Sequence, residues 1–138
     1  MDPMKKRALL MEHATHPRHY RKEERYVSVR AYSHTCADDL TLMVNIQDDV
    51  IEDVCFYGHA CAIATAAASM MCEELRKQDR KSALKQIEAY ERMLNQQPYE
   101  AERIGEEAIF ADVATKANRR ECAFLSWKAM RQVLEDER

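Results

Sequence analysis

Only two glycines, Gly58 and Gly105, and three prolines occur in the 138 residues. So few turn-forming residues argue against a turn-rich all-β architecture and for a substantial helical part. Long apolar runs are missing as well. The N-terminal region offers only "ALLM", far short of a signal-peptide core, and no stretch is long enough to span a bilayer, so a cytoplasmic location and no membrane partner are expected. An excess of one charge is also lacking. The formal net charge is -3, and the basic residues are interleaved with acidic ones, which leaves no electrostatic footprint for nucleic acid. The densest basic piece, Lys5 to Arg7, reads as a solvated helix face. What remains is 46% hydrophobic and 33% charged, the composition of one compact domain over residues 1–138, expected to be α+β.

The periodicity changes twice along the chain. "DPMKKRALLMEHATHP" offers Asp2 as an N-cap and Pro3 at the first helical position, and stops at His16-Pro17, because the residue before a proline resists helical geometry. From Tyr26 to Ile46 the pattern alternates: "YVSVRAYS" and "LTLMVNI" each set every second apolar side chain on one face. "QDDV" reads as a tight turn into "VIEDVCFYG", so three antiparallel strands are predicted. After Gly58 the period becomes helical. One helix is expected from Cys61 to about Lys77, a second with Ala83, Ile87, Tyr90 and Leu94 on one stripe, and a last from about Glu121 with Ala123, Trp127, Met130 and Leu134 on one face. "QQPYEAERIGEE" breaks the pattern and reads as a loop.

Five cysteines in a chain expected in the cytosol are poor candidates for structural disulfides, because that compartment keeps thiols reduced. For any one of them a buried, inert thiol is the ordinary reading. Three, however, fall at expected element boundaries. Cys36 lies between the first two strands, and Cys61 and Cys122 are each expected to open a helix, where the helix dipole favours a thiolate. Their spacings match no short zinc-finger pattern, so a shared site has to be closed by the fold. Asp38, two positions from Cys36, can point at the same centre. Cys72 lies ~16 Å along the helix axis from Cys61 and cannot share its metal. Cys55 falls mid-strand, and both read as core thiols.

Together the motifs carry a resemblance. "CAD" (Cys36 to Asp38), "GHACAIATAAASMM" (Gly58 to Met71) and "CAFLSW" (Cys122 to Trp127), with "LLMEHATHPRH" and "DDVIEDVCFYG", resemble the U-type proteins of iron–sulfur cluster biogenesis: the NifU N-terminal domain, IscU and SufU. Sixty residues separate Cys61 from Cys122, and Glu121 precedes the last cysteine where scaffold members have histidine; both features resemble SufU. The resemblance implies a three-stranded antiparallel sheet carrying helices, and zinc held by Cys36, Asp38, Cys61 and Cys122, with Arg119 supporting the site. It also implies a SufS-type cysteine desulfurase as the partner that delivers persulfide sulfur, which then passes to an iron–sulfur assembly scaffold or another acceptor. The chain departs from the family in Ala37 and Ala60, which stand where glycines are usual, and in Ser33-His34, which replace asparagine-proline. An alanine at 37 raises the cost of a left-handed backbone there.

Three thiolates and one carboxylate leave a zinc site net anionic by two, and Arg119 would offset that charge. Sulfur transfer needs a thiolate that is both nucleophilic and accessible. Cys36, on a loop, meets both demands and is the expected catalytic residue, with Asp39 as a reserve ligand. Two other readings stay open at this stage: a scaffold holding a transient [2Fe–2S] cluster on the same residues, and a structural zinc interaction module.

Overall fold

Asp48 and Asp49 both adopt positive φ (51° and 65°), the geometry of the two-residue turn whose twist matches a β-hairpin. They join β2 (Asp39–Gln47) to β3 (Val50–His59), as "QDDV" predicts. β1 (Val27–Tyr32) pairs antiparallel with β2, giving a sheet in the order β1-β2-β3. The computed structural model describes residues 1–33 and 37–136. Around the sheet run α1 (Pro3–Thr15), α2 (Ala62–Leu75), α3 (Arg80–Leu94) and α4 (Ala117–Asp136). This is the expected α+β class.

Alternation along the strands sends Ala31, Leu40, Leu42, Val44, Val54 and Phe56 into the core. The outer edge of β3 is covered by irregular chain. The Phe56 N–H donates to the His19 carbonyl (3.0 Å) and the Arg21 N–H to the Phe56 carbonyl (2.9 Å), while further along Ile51 pairs with Lys77 and Gln78 in the same way. A covered edge presents no template for another strand.

α2 is the centre of the core. Ala64, Ala66, Ala67 and Ala68 are buried along it, and side chains that small let the sheet and α4 approach its backbone. Trp127 of α4 uses this access: fully buried, it donates its indole N–H to the Ala67 carbonyl (3.0 Å) and packs 4.5 Å from the Tyr90 ring. Tyr90 in turn donates to the Ala123 carbonyl (2.7 Å), so both aromatic polar groups are satisfied. All four residues of each predicted apolar stripe, on α3 and on α4, are buried.

Three boundaries differ from expectation. α4 starts at Ala117 rather than near Glu121: Lys-Ala-Asn-Arg-Arg carries no breaker, and the Arg120 N–H already reaches the Lys116 carbonyl (2.9 Å). α2 stops at Leu75, because Lys77 turns to φ 72° to bond with β3. The expected loop before α4 contains a 3-10 turn, Ala101–Arg103, and a 3-10 helix, Glu106–Val113.

That connection is fastened by carboxylates. Glu74 of α2 accepts from the Glu106 N–H (3.1 Å) and the Gln86 amide (3.1 Å), and the fully buried Glu107 accepts from the same amide (2.8 Å) and from the Gly105 N–H (3.0 Å). Burial, with the Glu74 charge adding to it, pushes the Glu107 carboxyl up to about 7, and Tyr90 also faces it. The folded protein therefore keeps a proton that the unfolded chain releases above its ordinary 4.5. The stabilisation from this group is complete below that value and is lost as pH rises to about 7, a change of up to roughly 3 kcal/mol. Denaturant midpoints measured from pH 5 to pH 8 should fall for the parent relative to Glu107→Gln, which has no carboxyl to ionise; parallel curves would assign the dependence to other groups.

Candidate metal centre

Asp38, the residue before β2, is buried, and its Oδ1 accepts the Cys61 N–H at 2.7 Å. Its Oδ2 faces two thiols, taking the Cys122 S–H at 3.1 Å with Cys61 Sγ at 3.8 Å. One carboxylate thus joins the start of a strand, the start of α2 and the second turn of α4. The ligand atoms of Asp38, Cys61 and Cys122 lie within 4.8 Å of one another.

Cys61 is the N-cap of α2, with extended backbone (φ -64°, ψ 167°), and its sulfur accepts the Ala64 N–H at 3.4 Å. A serine, threonine or aspartate caps a helix better, so a cysteine here gives up some helix stability for its sulfur. The expectation that Cys61 sits in the field of a helix N-terminus holds. For Cys122 it does not. Because α4 starts at Ala117, five residues before it, Cys122 is inside the helix and buried. Burial first, then the bonds and charges of Asp38 and Cys61, pushes its thiol far above the ordinary range.

This set of donors fits a soft divalent cation. Two unit charges at ~4 Å repel by roughly 4 kcal/mol at an effective dielectric near 20, so three acidic groups this close ionise together only around positive charge. Ligand atoms on one Zn2+ lie about 3–4 Å apart at normal bond lengths, close to the spacing here. Thiolates paired with a carboxylate favour zinc or iron over magnesium or calcium.

Cys36, expected as the fourth ligand and the catalytic residue, lies outside the described residues. It belongs to the β1–β2 connection, whose ends are tied by the Ser33 N–H to the Asp38 carbonyl (3.1 Å). Asp39 points to the other face of the strand, where Arg30 holds it with two bonds of 2.8 Å and so keeps its carboxyl below the usual range. Arg119 stands exposed one turn before Cys122 on α4, with no ion pair among the described residues. Cys55 and Cys72 are outside the cluster, as expected. Cys55 is pushed up to about 11 by burial, and Cys72 well above the ordinary range by the same cause.

Sequence reasoning attached no role to two residues of its quoted motifs, His13 and Ser69. Both are buried. The Ser69 hydroxyl accepts the Arg18 N–H (2.8 Å) and meets His13 Nδ1 (2.7 Å), while His13 Nε2 meets Glu106 (3.1 Å). In the neutral ring, Nε2 carries the proton toward the carboxylate and Ser69 donates to Nδ1. This knot fixes the chain around Arg18 against α2. A polar serine inside an alanine-rich helix face was the available signal.

A model of the NifU-like N terminal domain matches residues 5–133. The chain is 30% identical over 129 residues to the iron–sulfur cluster assembly scaffold protein IscU of Streptococcus pyogenes serotype M1, covering 93% of this chain and 81% of that protein. It is 29% identical over 132 residues to the zinc-dependent sulfurtransferase SufU of Bacillus subtilis strain 168, covering 95% and 90%. A crystal structure from Fervidobacterium islandicum AW-1, named for an iron–sulfur cluster assembly scaffold protein of the SUF system, superimposes with a TM-score of 0.88 at 27% identity, covering 91% of this chain and 93% of that one. Among the described residues no helix is long and apolar enough to cross a membrane. With its fold and its cysteine-bearing segments in place, the chain belongs to the family of NifU-like N-terminal domains.

Proposed function

We propose that this protein serves iron–sulfur cluster biogenesis as a zinc-dependent sulfurtransferase, taking persulfide sulfur from a SufS-type cysteine desulfurase and passing it to an assembly scaffold or another acceptor. The observation that carries this reading is the convergence of Asp38, Cys61 and Cys122 within 4.8 Å. The similarity to SufU of Bacillus subtilis supports it. Asp38, Cys61 and Cys122, with Cys36 from the adjoining connection, would hold the zinc, which supplies the positive charge that keeps thiolates ionised near neutral pH.

The division of labour follows from how each residue is held. Cys61 and Cys122 are parts of packed helices, and Asp38 is tied to the Cys61 backbone, so displacing any of them disturbs the core. Cys36 is in a connection between strands, where a partner approaches without shifting a helix. In the transfer, the Cys36 thiolate attacks the outer sulfur of the desulfurase persulfide. A sulfur–sulfur bond forms on Cys36, the bond on the desulfurase breaks, and its cysteine leaves as a thiolate, so no net oxidation occurs.

A scaffold role has one observation in its favour, the 30% identity to a protein named as a scaffold. Anaerobic reconstitution with iron and sulfide separates the two readings: a stable visible chromophore supports the scaffold, a colourless zinc protein supports transfer.

Protein purified without chelators should contain close to one zinc per chain. Cys61→Ser, Cys122→Ser or Asp38→Ala should lose most of it. A Cys55→Ala/Cys72→Ala double variant should keep it, at a stability cost on the order of 1 kcal/mol for each buried thiol. Zinc loss in the double variant would mean that the site is misassigned.

Incubation with a SufS-type desulfurase and cysteine should place an added sulfur on Cys36 before the other cysteines, as read by intact-mass and peptide analysis. Sulfur arriving first on Cys61 or Cys122, or undiminished stimulation of the desulfurase by Cys36→Ser, would overturn the assignment.

A further inference from the structure

Gly58 sits three residues before Cys61, and two features single it out. Its φ is +128°, and a Cβ built on it would lie 2.3 Å from the Asp39 carbonyl oxygen and 3.1 Å from the Leu40 Cα. The strand ends that deliver Asp38 and Cys61 are therefore pressed together at this residue. Glycine alone permits that approach, and it is also the residue with the greatest freedom to rotate away. Something on its other side has to hold it.

The covering chain at the outer edge of β3 supplies backbone partners for Phe56, through His19 and Arg21. Two residues further along, the Gly58 N–H and C=O face the same edge, since strand direction repeats every second residue. There a side chain takes over. The Tyr20 hydroxyl donates to the Gly58 carbonyl at 2.7 Å and accepts the Gly58 N–H at 3.2 Å, filling both roles of a missing peptide group.

Tyr20 is itself fixed from several directions. Its ring stands edge-on to Phe56, with centroids 5.3 Å apart and planes at 88°. Its neighbours His19 and Arg21 are bonded to the Phe56 backbone, and the Arg18 N–H is held by Ser69 of α2. Yet the residue is 46% exposed, so its place is not explained by burial.

We propose that Tyr20 is a positioning residue for the metal centre: its hydroxyl clamps Gly58 against β2 and so sets where Cys61 stands relative to Asp38. The inference rests on the metal-centre reading above. Residues that orient metal ligands without touching the metal commonly change affinity by 10- to 100-fold when removed, which sets the size of effect to look for.

Tyr20→Phe keeps the ring and its contact with Phe56 and deletes only the hydroxyl. Zinc affinity is measured by competition with a chelator, thermal stability is measured with and without metal, and Co2+ replaces zinc to report ligand geometry through its visible d–d bands. The variant should bind zinc about tenfold more weakly, show altered cobalt bands, and lose more thermal stability with metal than without. Equal affinity and an unchanged cobalt spectrum, with the same drop in stability in both states, would make Tyr20 an ordinary structural residue and overturn the proposal alone. A parent protein that takes up neither zinc nor cobalt would overturn the metal-centre reading and this proposal with it.

Discussion

A single carboxylate, that of Asp38, is placed so that its two oxygens do different work. Oδ1 takes a backbone N–H at the head of α2, which anchors the start of β2 to the start of the central helix. Oδ2 is left facing two thiols. A buried carboxylate needs hydrogen-bond partners, and here those partners are the ligand candidates themselves. The fold and the centre therefore share a constraint: moving Asp38 would unfasten the helix whose N-cap is Cys61.

α2 then transmits this local arrangement to the whole domain. Its alanine face admits Trp127 from α4, which fixes the helix that carries Cys122, and Ser69 ties the chain around Arg18 and Tyr20 to the same helix. Each segment that brings a group to the centre is thus referenced to one helix. Small side chains give that helix close contact with its neighbours at the cost of little burial per residue, which the aromatic cluster of Trp127, Tyr90 and Phe124 offsets.

Much of this was legible in the sequence because it is local. Alternation from Tyr26 onward specified the strands, the paired aspartates specified the hairpin, and the stripe of Ala83, Ile87, Tyr90 and Leu94 specified α3. Asp38 and the two helical cysteines were legible through motif resemblance; periodicity alone left an aspartate in a turn and a set of boundary thiols. The start of α4 was misplaced because Lys116, Ala117, Asn118, Arg119 and Arg120 carry no apolar stripe, although nothing in them stops a helix. Glu107 and Tyr20 were not legible at all. One is a charged residue type buried by chain distant in sequence, the other a tyrosine whose hydroxyl partner is 38 residues away, and neither relation leaves a local pattern.

The unequal burial of the two helical cysteines gives the centre a front and a back. Cys122 and Asp38 form a rear wall closed off from solvent, whereas Cys61 is exposed at the tip of its helix. Among the described residues of the centre, an oxidant or a chelator arriving from solvent meets Cys61 before Cys122. The buried rear pair is thereby shielded, and the side of the centre that meets solvent is the one on which Cys61 stands.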